Sequence, residues 1–295
     1  MTFEPWITEP DVYELDESSY HADPVVGGSL SSSGARTILD YSPKTYREAD
    51  RVEKWEYDFG HAAHAELLGV GARIVVIEAD DWRLKKTQQE RDDIRASGGV
   101  PLLRKDMDEV KAMGEAVRAH PVVGPLFTRP GRAEVSAVAR DPETGVMCRM
   151  RADWLPDVAD DARLLVVDYK SSKDARPKSF ERAMWEYGYD RQGPWYCDVL
   201  TWLGLDHGVE PQFILVAQER TKPYLISYGW PSARAVEWGR VRNRKARGIF
   251  RDCMASGQWP GYSEEPQEWD IPDWLDRKYA YEMETGAYRL SGDLS

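Results

Sequence analysis

Cysteine is scarce in this 295-residue chain, and the three present, Cys148, Cys197 and Cys253, stand far apart with no CxxC pair. That spacing argues against a cysteine-built zinc site or iron-sulfur cluster and fits reduced thiols in a cytoplasmic protein. Long apolar runs are missing too. No stretch approaches the roughly 20 apolar residues of a membrane span. The opening MTFEPWITEPDVYELDE is acidic where a secretory signal would be basic and then apolar. Positive charge is the third shortage: 39 Lys and Arg face 51 Asp and Glu, for a net charge of −12. This balance excludes a histone-like binder, so contact with nucleic acid must come from a local basic patch or from metal ions. A soluble cytoplasmic protein with no membrane association is expected.

What the chain does have is a β-patterned stretch rich in chemistry, MCRMRADWLPDVADDARLLVVDYK from Met147 to Lys170. Met147 to Trp154 alternates polar and apolar residues, and Arg163 to Tyr169 is rich in Leu and Val, so two strands joined by a Pro/Asp-rich hairpin are expected. A period of two places Arg149, Arg151 and Asp153 on one face of the first strand, and Leu164, Val166, Asp168 and Lys170 on one face of the second. Hard carboxylate oxygens suit Mg²⁺ or Mn²⁺, and a lysine beside them can hold a metal-activated water. Taken alone, Asp-x-Lys reads first as an ordinary strand end with a solvated lysine, since such triplets are common.

Elsewhere the signals are individually modest. Residues 1–28 form an irregular lead-in with little functional content. Ser31, Ser32 and Ser33 precede a helix, where they suit an N-cap; with Arg36, Ser32 and Ser33 could also receive a terminal DNA phosphate. A helix over Asp58 to Leu68 sets His61 and His64 on neighbouring surfaces. After a strand at Arg73–Glu78, charged helices around 83–97 and 104–119 form an outer layer. Glu134 opens a strand over Ala133–Ala139. Helical spacing puts Gln192 and Tyr196 on one face of a helix from Tyr189 to Leu203, beside Arg191, and Pro194 is compatible with that helix only in its first turn.

Two further strands are expected at Gln212–Ala217 and Tyr224–Trp230. The helical stretch Pro231–Ser256 concentrates Arg234, Arg240, Arg242, Arg244, Lys245, Arg247 and Arg251, either as a solvated face or as the lining of a DNA path. A Trp/Pro-rich extension, residues 258–295, closes the chain and is expected to wrap a neighbouring surface.

The combination carries more than its parts. Gly60-x-x-x-His64, Glu134, Asp153, Asp168-Tyr169-Lys170 and Gln192-x-x-x-Tyr196 occur in the order seen in RecB-like members of the PD-(D/E)xK nuclease superfamily. More closely, the chain resembles the RecE-type exonucleases, the exonuclease VIII group of phages and prophages. The phrases that carry this are LSSSGARTILDYSPKTY at 30–46, FGHAAHAELL at 59–68, AEVSAVARDPETGVMCRMRADWL at 133–155, VVDYKSSKDA at 166–175 and YDRQGPWY at 189–196.

The resemblance implies an α/β fold with a PD-(D/E)xK restriction-endonuclease-like core, a mixed central β-sheet flanked by helices, spanning 29–257. It implies that His64, Glu134, Asp153, Asp168 and the backbone carbonyl of Tyr169 hold metal, that Lys170 is the catalytic lysine, and that Gln192 and Tyr196 order the site or contact DNA. Asp168 stands where the superfamily more often has glutamate, and His61 is a competing imidazole. The implied activity is Mg²⁺-dependent digestion of the 5′-ended strand of double-stranded DNA, with Mn²⁺ able to substitute. The implied partners are duplex DNA ends, a RecT-like single-strand annealing protein and further copies of the chain in a ring-like tetramer. Arg191, Arg242, Arg244 and Lys245, with Ser32, Ser33 and Arg36, are the candidate DNA contacts. A structure-specific endonuclease and a non-catalytic DNA-binding or assembly protein on the same fold are the alternatives.

Overall fold

The computed structural model describes residues 3–49, 55–71, 73–158 and 162–287. The lead-in contributes β1 (Asp11–Tyr13) and α1 (Glu17–His21), followed by β2 (Leu30–Ser31), α2 (Ser32–Asp40), α3 (Pro43–Glu48) and α4 (Trp55–Leu68). A second stretch holds β3 (Ile74–Ile77), α5 (Lys85–Ala96), β4 (Val100–Leu103), α6 (Arg104–Ala119) and α7 (Gly124–Thr128). Then come β5 (Gly131–Arg140), β6 (Met147–Pro156), β7 (Leu165–Ser172), α8 (Pro177–Glu186) and α9 (Tyr189–Trp202). The last elements are β8 (Gln212–Glu219), β9 (Ile226–Gly229), α10 (Ala233–Ser256) and α11 (Asp273–Glu284).

Seven strands make a mixed sheet in the order β1-β5-β6-β7-β8-β9, with the two-residue β2 lying parallel against β6. The β7/β8 pair is parallel and the other neighbours on the main path are antiparallel. β3 and β4 form a separate parallel pair. Helices cover both faces. Ala35 and Ile38 of α2, Trp195 and Leu200 of α9, and Ala246 and Phe250 of α10 pack with Ala137, Met150 and Val166 on one side. Phe59 and Ala62 of α4, Val110 and Met113 of α6, and Phe127 of α7 pack with Val167, Tyr169 and Val216 on the other. A sheet covered on both faces explains why β7 is apolar in a near-continuous run rather than alternating.

The period-two expectation holds along β6 to Ala152 and then breaks. Cys148, Met150 and Ala152 belong to the first core and Trp154 to the second. On β5 the same change of side separates Val135 from Ala133, and Glu134 between them has φ +50°, a conformation that costs a non-glycine residue roughly 1 kcal/mol or more. The pleat therefore reverses where Glu134 and Asp153 face each other across the ladder. Beyond this point β6 and β7 share a single paired register, Trp154 with Val167.

Two sequence expectations need correction. The lead-in is not irregular throughout: β1 pairs with β5, and α1 is capped by Asp16, whose Oδ1 accepts from the Ser19 amide at 2.9 Å. Pro194 lies in the second turn of α9, not the first. There it leaves the Asp190 carbonyl without a helical donor, and α10 comes in at Gly239, where a Cβ would stand 2.3 Å from that carbonyl oxygen. Asn243 of α10 donates to the next carbonyl, that of Arg191, at 2.9 Å. A second compact unit, residues 261–295, carries α11, and none of its described residues is buried.

Candidate active site

The fork between β6 and β7 is where the acidic residues meet. Asp153 Oδ2 accepts the Tyr169 amide at 2.8 Å, so the side chain takes a donor from the parting strand. Asp168 is 1 % exposed; its Oδ2 accepts from Gln192 Nε2 of α9 at 2.7 Å, and Oδ1 is paired with the Lys170 ammonium. Gln192 Nε2 also lies 3.1 Å from the Tyr196 hydroxyl, one helical turn on. The Tyr169 ring points into the second core, where its hydroxyl donates to Gln218 at 2.6 Å and its ring meets His64 edge-on at 5.3 Å between centroids. His64 Nδ1 stands 3.6 Å from Asp153 Oδ2. His61 turns instead to Glu17 of α1, at 3.4 Å, so of the two histidines His64 is the one beside the carboxylates. Glu134 is ion-paired with Arg151.

Burial and mutual repulsion set the electrostatics. Burial pushes the Asp168 carboxyl up to about 6, helped by the charge of Asp153 and opposed by Lys170. Burial also raises Asp153, outweighing Lys170 and the Tyr169 amide. The Lys170 ammonium would be weakened by its own burial, but Asp168 and Asp153 overcome this and raise it. His64 is pulled down to about 4 by burial and then by Lys170, which keeps its imidazole neutral near pH 7. No group of three His, Cys, Asp or Glu side chains among the described residues stands in metal-holding geometry. Arg151 and Lys170 hold the carboxylates of Glu134 and Asp168.

His64, Glu134, Asp153, Lys170 and Gln192 line a cleft of about 520 Å³ that also takes in Ser32, Ser33 and Arg36 of α2, whereas the buried Asp168 is not part of that lining. The helix cap is Ser31, whose Oγ accepts from the Gly34 amide at 3.1 Å, which leaves Ser32 and Ser33 inside the first turn. The remaining candidate DNA contacts are placed elsewhere. Arg191 is buried in a two-pronged pair with Asp40, at 2.9 and 2.8 Å, and Arg242 reaches the same carboxylate at 2.9 Å. Arg244 is paired with Glu143 at 2.7 Å, Lys245 is exposed, and α10 contributes nothing among the described residues to the lining of the cleft. Glu17, Tyr20 and His21 of α1, the tyrosines Tyr187 and Tyr189, and Arg220 line it without having been singled out from the sequence. The phrase YGYDRQ carried a signal for the tyrosines; nothing local marked α1.

No helix among the described residues is long and apolar enough to cross a membrane. No curated protein matches the sequence. Among solved structures, the crystal structure of a "putative exonuclease" from Eubacterium rectale superposes with a TM-score of 0.56 at 10% identity, over 90% of this chain and 98% of that one. At that identity the likeness is one of fold, and the shared fold is the mixed sheet flanked by helices described above. The family model that matches is a PDDEXK-like domain over residues 83–269, which takes in Glu134, Asp153, Asp168, Lys170, Gln192 and Tyr196 but not His64. The match reaches the PDDEXK-like level and does not name the exonuclease VIII branch. By that match over more than half its length, the chain belongs to the PDDEXK-like domain family of unknown function DUF3799.

Proposed function

We propose that this chain is a RecE-type exodeoxyribonuclease that digests the 5′-ended strand of duplex DNA in the bacterial cytoplasm. It leaves a 3′ overhang for a RecT-like annealing protein. The observation that carries the nuclease reading is the meeting of Asp153 and Asp168 at the strand fork, with Lys170 beside them and Gln192 behind Asp168. The strand polarity, the annealing partner and a ring-like tetramer rest on the sequence phrases alone.

Two carboxylates crowded together in a poorly solvated place with a single ammonium favour a further cation. The donors are hard oxygens with a neutral imidazole at hand, which suits Mg²⁺ or Mn²⁺. Mg²⁺ usually takes only one or two carboxylates and completes its shell with water and substrate phosphate, so it needs no cage of three side chains. Asp153 and Asp168 would hold the ion, with the Tyr169 carbonyl, His64 and Glu134 as further donors once Arg151 releases the glutamate. When bound, the ion supplies positive charge at the phosphate and acidifies a water molecule.

The side chains of the protein do the rest. Lys170, whose ammonium its two carboxylate neighbours favour, donates to a phosphate or water oxygen. Gln192 holds the Asp168 carboxylate in one orientation. Ser32, Ser33 and Arg36, on the same cleft wall, would receive a terminal phosphate, a task that the paired arginines of α10 are not placed to perform.

Linear duplex DNA labelled on either the 5′- or the 3′-ended strand, incubated with Mg²⁺ beside a covalently closed circle, tests the reading. Loss of the 5′-ended strand from linear DNA alone, absent with Asp168→Ala, is expected. Cutting of the circle would replace the exonuclease with a structure-specific endonuclease. No metal-dependent cutting at all would leave a DNA-binding or assembly protein.

A further inference from the structure

Beside the carboxylates the cleft carries an aromatic wall that the chemistry above leaves unused. Phe180, Tyr189 and Tyr187 form a column, with centroids 6.0 Å apart at 32° for the first pair and 5.9 Å apart at 39° for the second. Phe180 packs against the main core and anchors the inner end. Tyr189 is half-buried in the middle, with the Lys170 ammonium 5.3 Å from its ring centroid. Tyr187 is the outer end: the residue is 51 % exposed and lines the cleft.

The backbone that presents this outer ring is fixed. Gly188 joins α8 to α9 at φ +73°, and a Cβ there would stand 2.8 Å from Arg191 Nη2 and 2.9 Å from Arg36 Cδ. Arg36 donates to the Tyr187 carbonyl, and Arg191 is itself held by Asp40. An exposed tyrosine on so constrained a joint, one ring away from Lys170, is not a solvated loop side chain. It is a flat surface on the wall of the cleft, beside the rings of Tyr189 and, further in, Tyr196.

We infer that Tyr187 is a stacking platform for the unpaired terminal base of a DNA strand whose phosphate lies at Lys170. Every base has a π face, and stacking on an aromatic side chain contributes to single-strand binding without sequence preference. A base laid on Tyr187 would extend the Phe180–Tyr189–Tyr187 column by one ring. The fourth ring would compensate for the unpairing of the terminal base pair, so frayed or single-stranded ends are the preferred substrates. This inference rests on the nuclease reading of the same cleft.

Binding measured in chelator, where no cutting occurs, separates the two. The probe is duplex DNA carrying 2-aminopurine as an unpaired 5′-terminal base, with the same label placed inside the duplex as control. Wild type and Tyr187→Phe are expected to quench the terminal label, whereas Tyr187→Ala does not and binds the frayed end roughly tenfold more weakly. Equal quenching by wild type and Tyr187→Ala overturns the platform, as does equal loss in the Phe and Ala variants, which would mean that the hydroxyl is what matters. DNA binding that ignores Tyr187 thus sinks the platform and leaves the nuclease reading standing. Failure of the wild type to quench the terminal label sinks the platform as well, while the nuclease reading stands or falls separately on the Mg²⁺-dependent cutting assay above.

Discussion

Gln192 Nε2 donates to Asp168 Oδ2 at 2.7 Å, and this single contact ties helix α9 to the most deeply buried carboxylate of the site. A hydrogen bond to a charged partner is stronger than a neutral one, and here it selects one orientation of the carboxylate. Gln192→Ala is expected to lower kcat by roughly 10- to 100-fold while leaving the melting temperature within a few degrees of wild type. Gln192→Glu should be worse, because a third carboxylate beside Asp168 raises its pKa further and moves the acid limb of the pH–rate profile upward. A Gln192→Glu profile that overlays the wild type would refute the role.

Burial and the neighbouring Asp153 push the Asp168 carboxyl up from the ordinary 3.8 to about 6 in the folded protein. The folded state therefore holds an extra proton across that window. The corresponding stability is present below pH 3.8 and is lost as pH rises through about 6. A divalent ion competes for the same oxygens, so the rise in melting temperature produced by saturating Mg²⁺ should be small at pH 5 and large at pH 7.5. Calorimetry at both pH values tests this. An equal rise at the two, or a rise that survives Asp168→Asn, would show that the ion binds elsewhere.

His64 works in the opposite direction. Its folded pKa is depressed from 6.5 to about 4, so the stability it contributes is present above pH 6.5 and is lost as pH falls through about 4. In the metal-free protein the slopes of Asp168 and His64 partly cancel between these values. His64→Gln removes one of them, and the melting temperature of the variant should fall more steeply than that of the wild type from pH 4.5 to pH 6.5. Parallel curves would mean that the imidazole is not coupled to folding.

How much of this was legible in the sequence depended on whether a residue acts through its neighbours in the chain. Alternation along β7 carries Asp168 and Lys170 to one face, but on β6 it stops short of Asp153, which lies past the break in the pleat. That break is not legible in the sequence, since nothing local announces a positive φ at a glutamate. Helix spacing identified Gln192 and Tyr196 but not that Gln192 would face Asp168, which depends on how α9 crosses the sheet. The basic run of α10 is legible as charge but not as pairing, for a related reason: Arg240, Arg242, Arg244 and Arg247 meet their carboxylates on distant segments. Charge counted along one helix cannot see those partners. The cleft-lining role of α1 was hidden in the same way, as it arises when the lead-in folds across the edge of the sheet.

Arg247 shows what the α10 cations do instead. Its Nε donates to Asp141 at 2.8 Å with both side chains buried, and its guanidinium lies 5.6 Å from the Trp195 ring and 5.1 Å from that of Trp202. Removing one partner of such a pair strands the other charge, so Arg247→Ala should destabilise the protein by about 3–5 kcal/mol in urea denaturation. Arg247→Met keeps the packing between the tryptophans and should lose less. A variant of unchanged stability that bound DNA less tightly would return this residue to the DNA path.

Gly239 and Gly248 share α10 and offer a matched pair. At Gly239 a Cβ would lie 2.3 Å from the Asp190 carbonyl oxygen and 2.8 Å from Pro194 Cγ, whereas at Gly248 it would meet nothing within 4 Å. Neither contact at Gly239 can yield by a rotamer change, because one atom is backbone and the other belongs to a proline ring. Gly239→Ala must therefore push α10 away from α9, at a cost of roughly 1–3 kcal/mol. It should also lower activity, since Gln192 sits only two residues beyond Asp190 and its hold on Asp168 depends on where α9 lies. Gly248→Ala should instead be neutral or stabilise by up to about 1 kcal/mol, the ordinary gain from replacing glycine in a helix. If both variants unfold at the wild-type denaturant concentration, the close approach of the two helices at Pro194 does not hold the site in place.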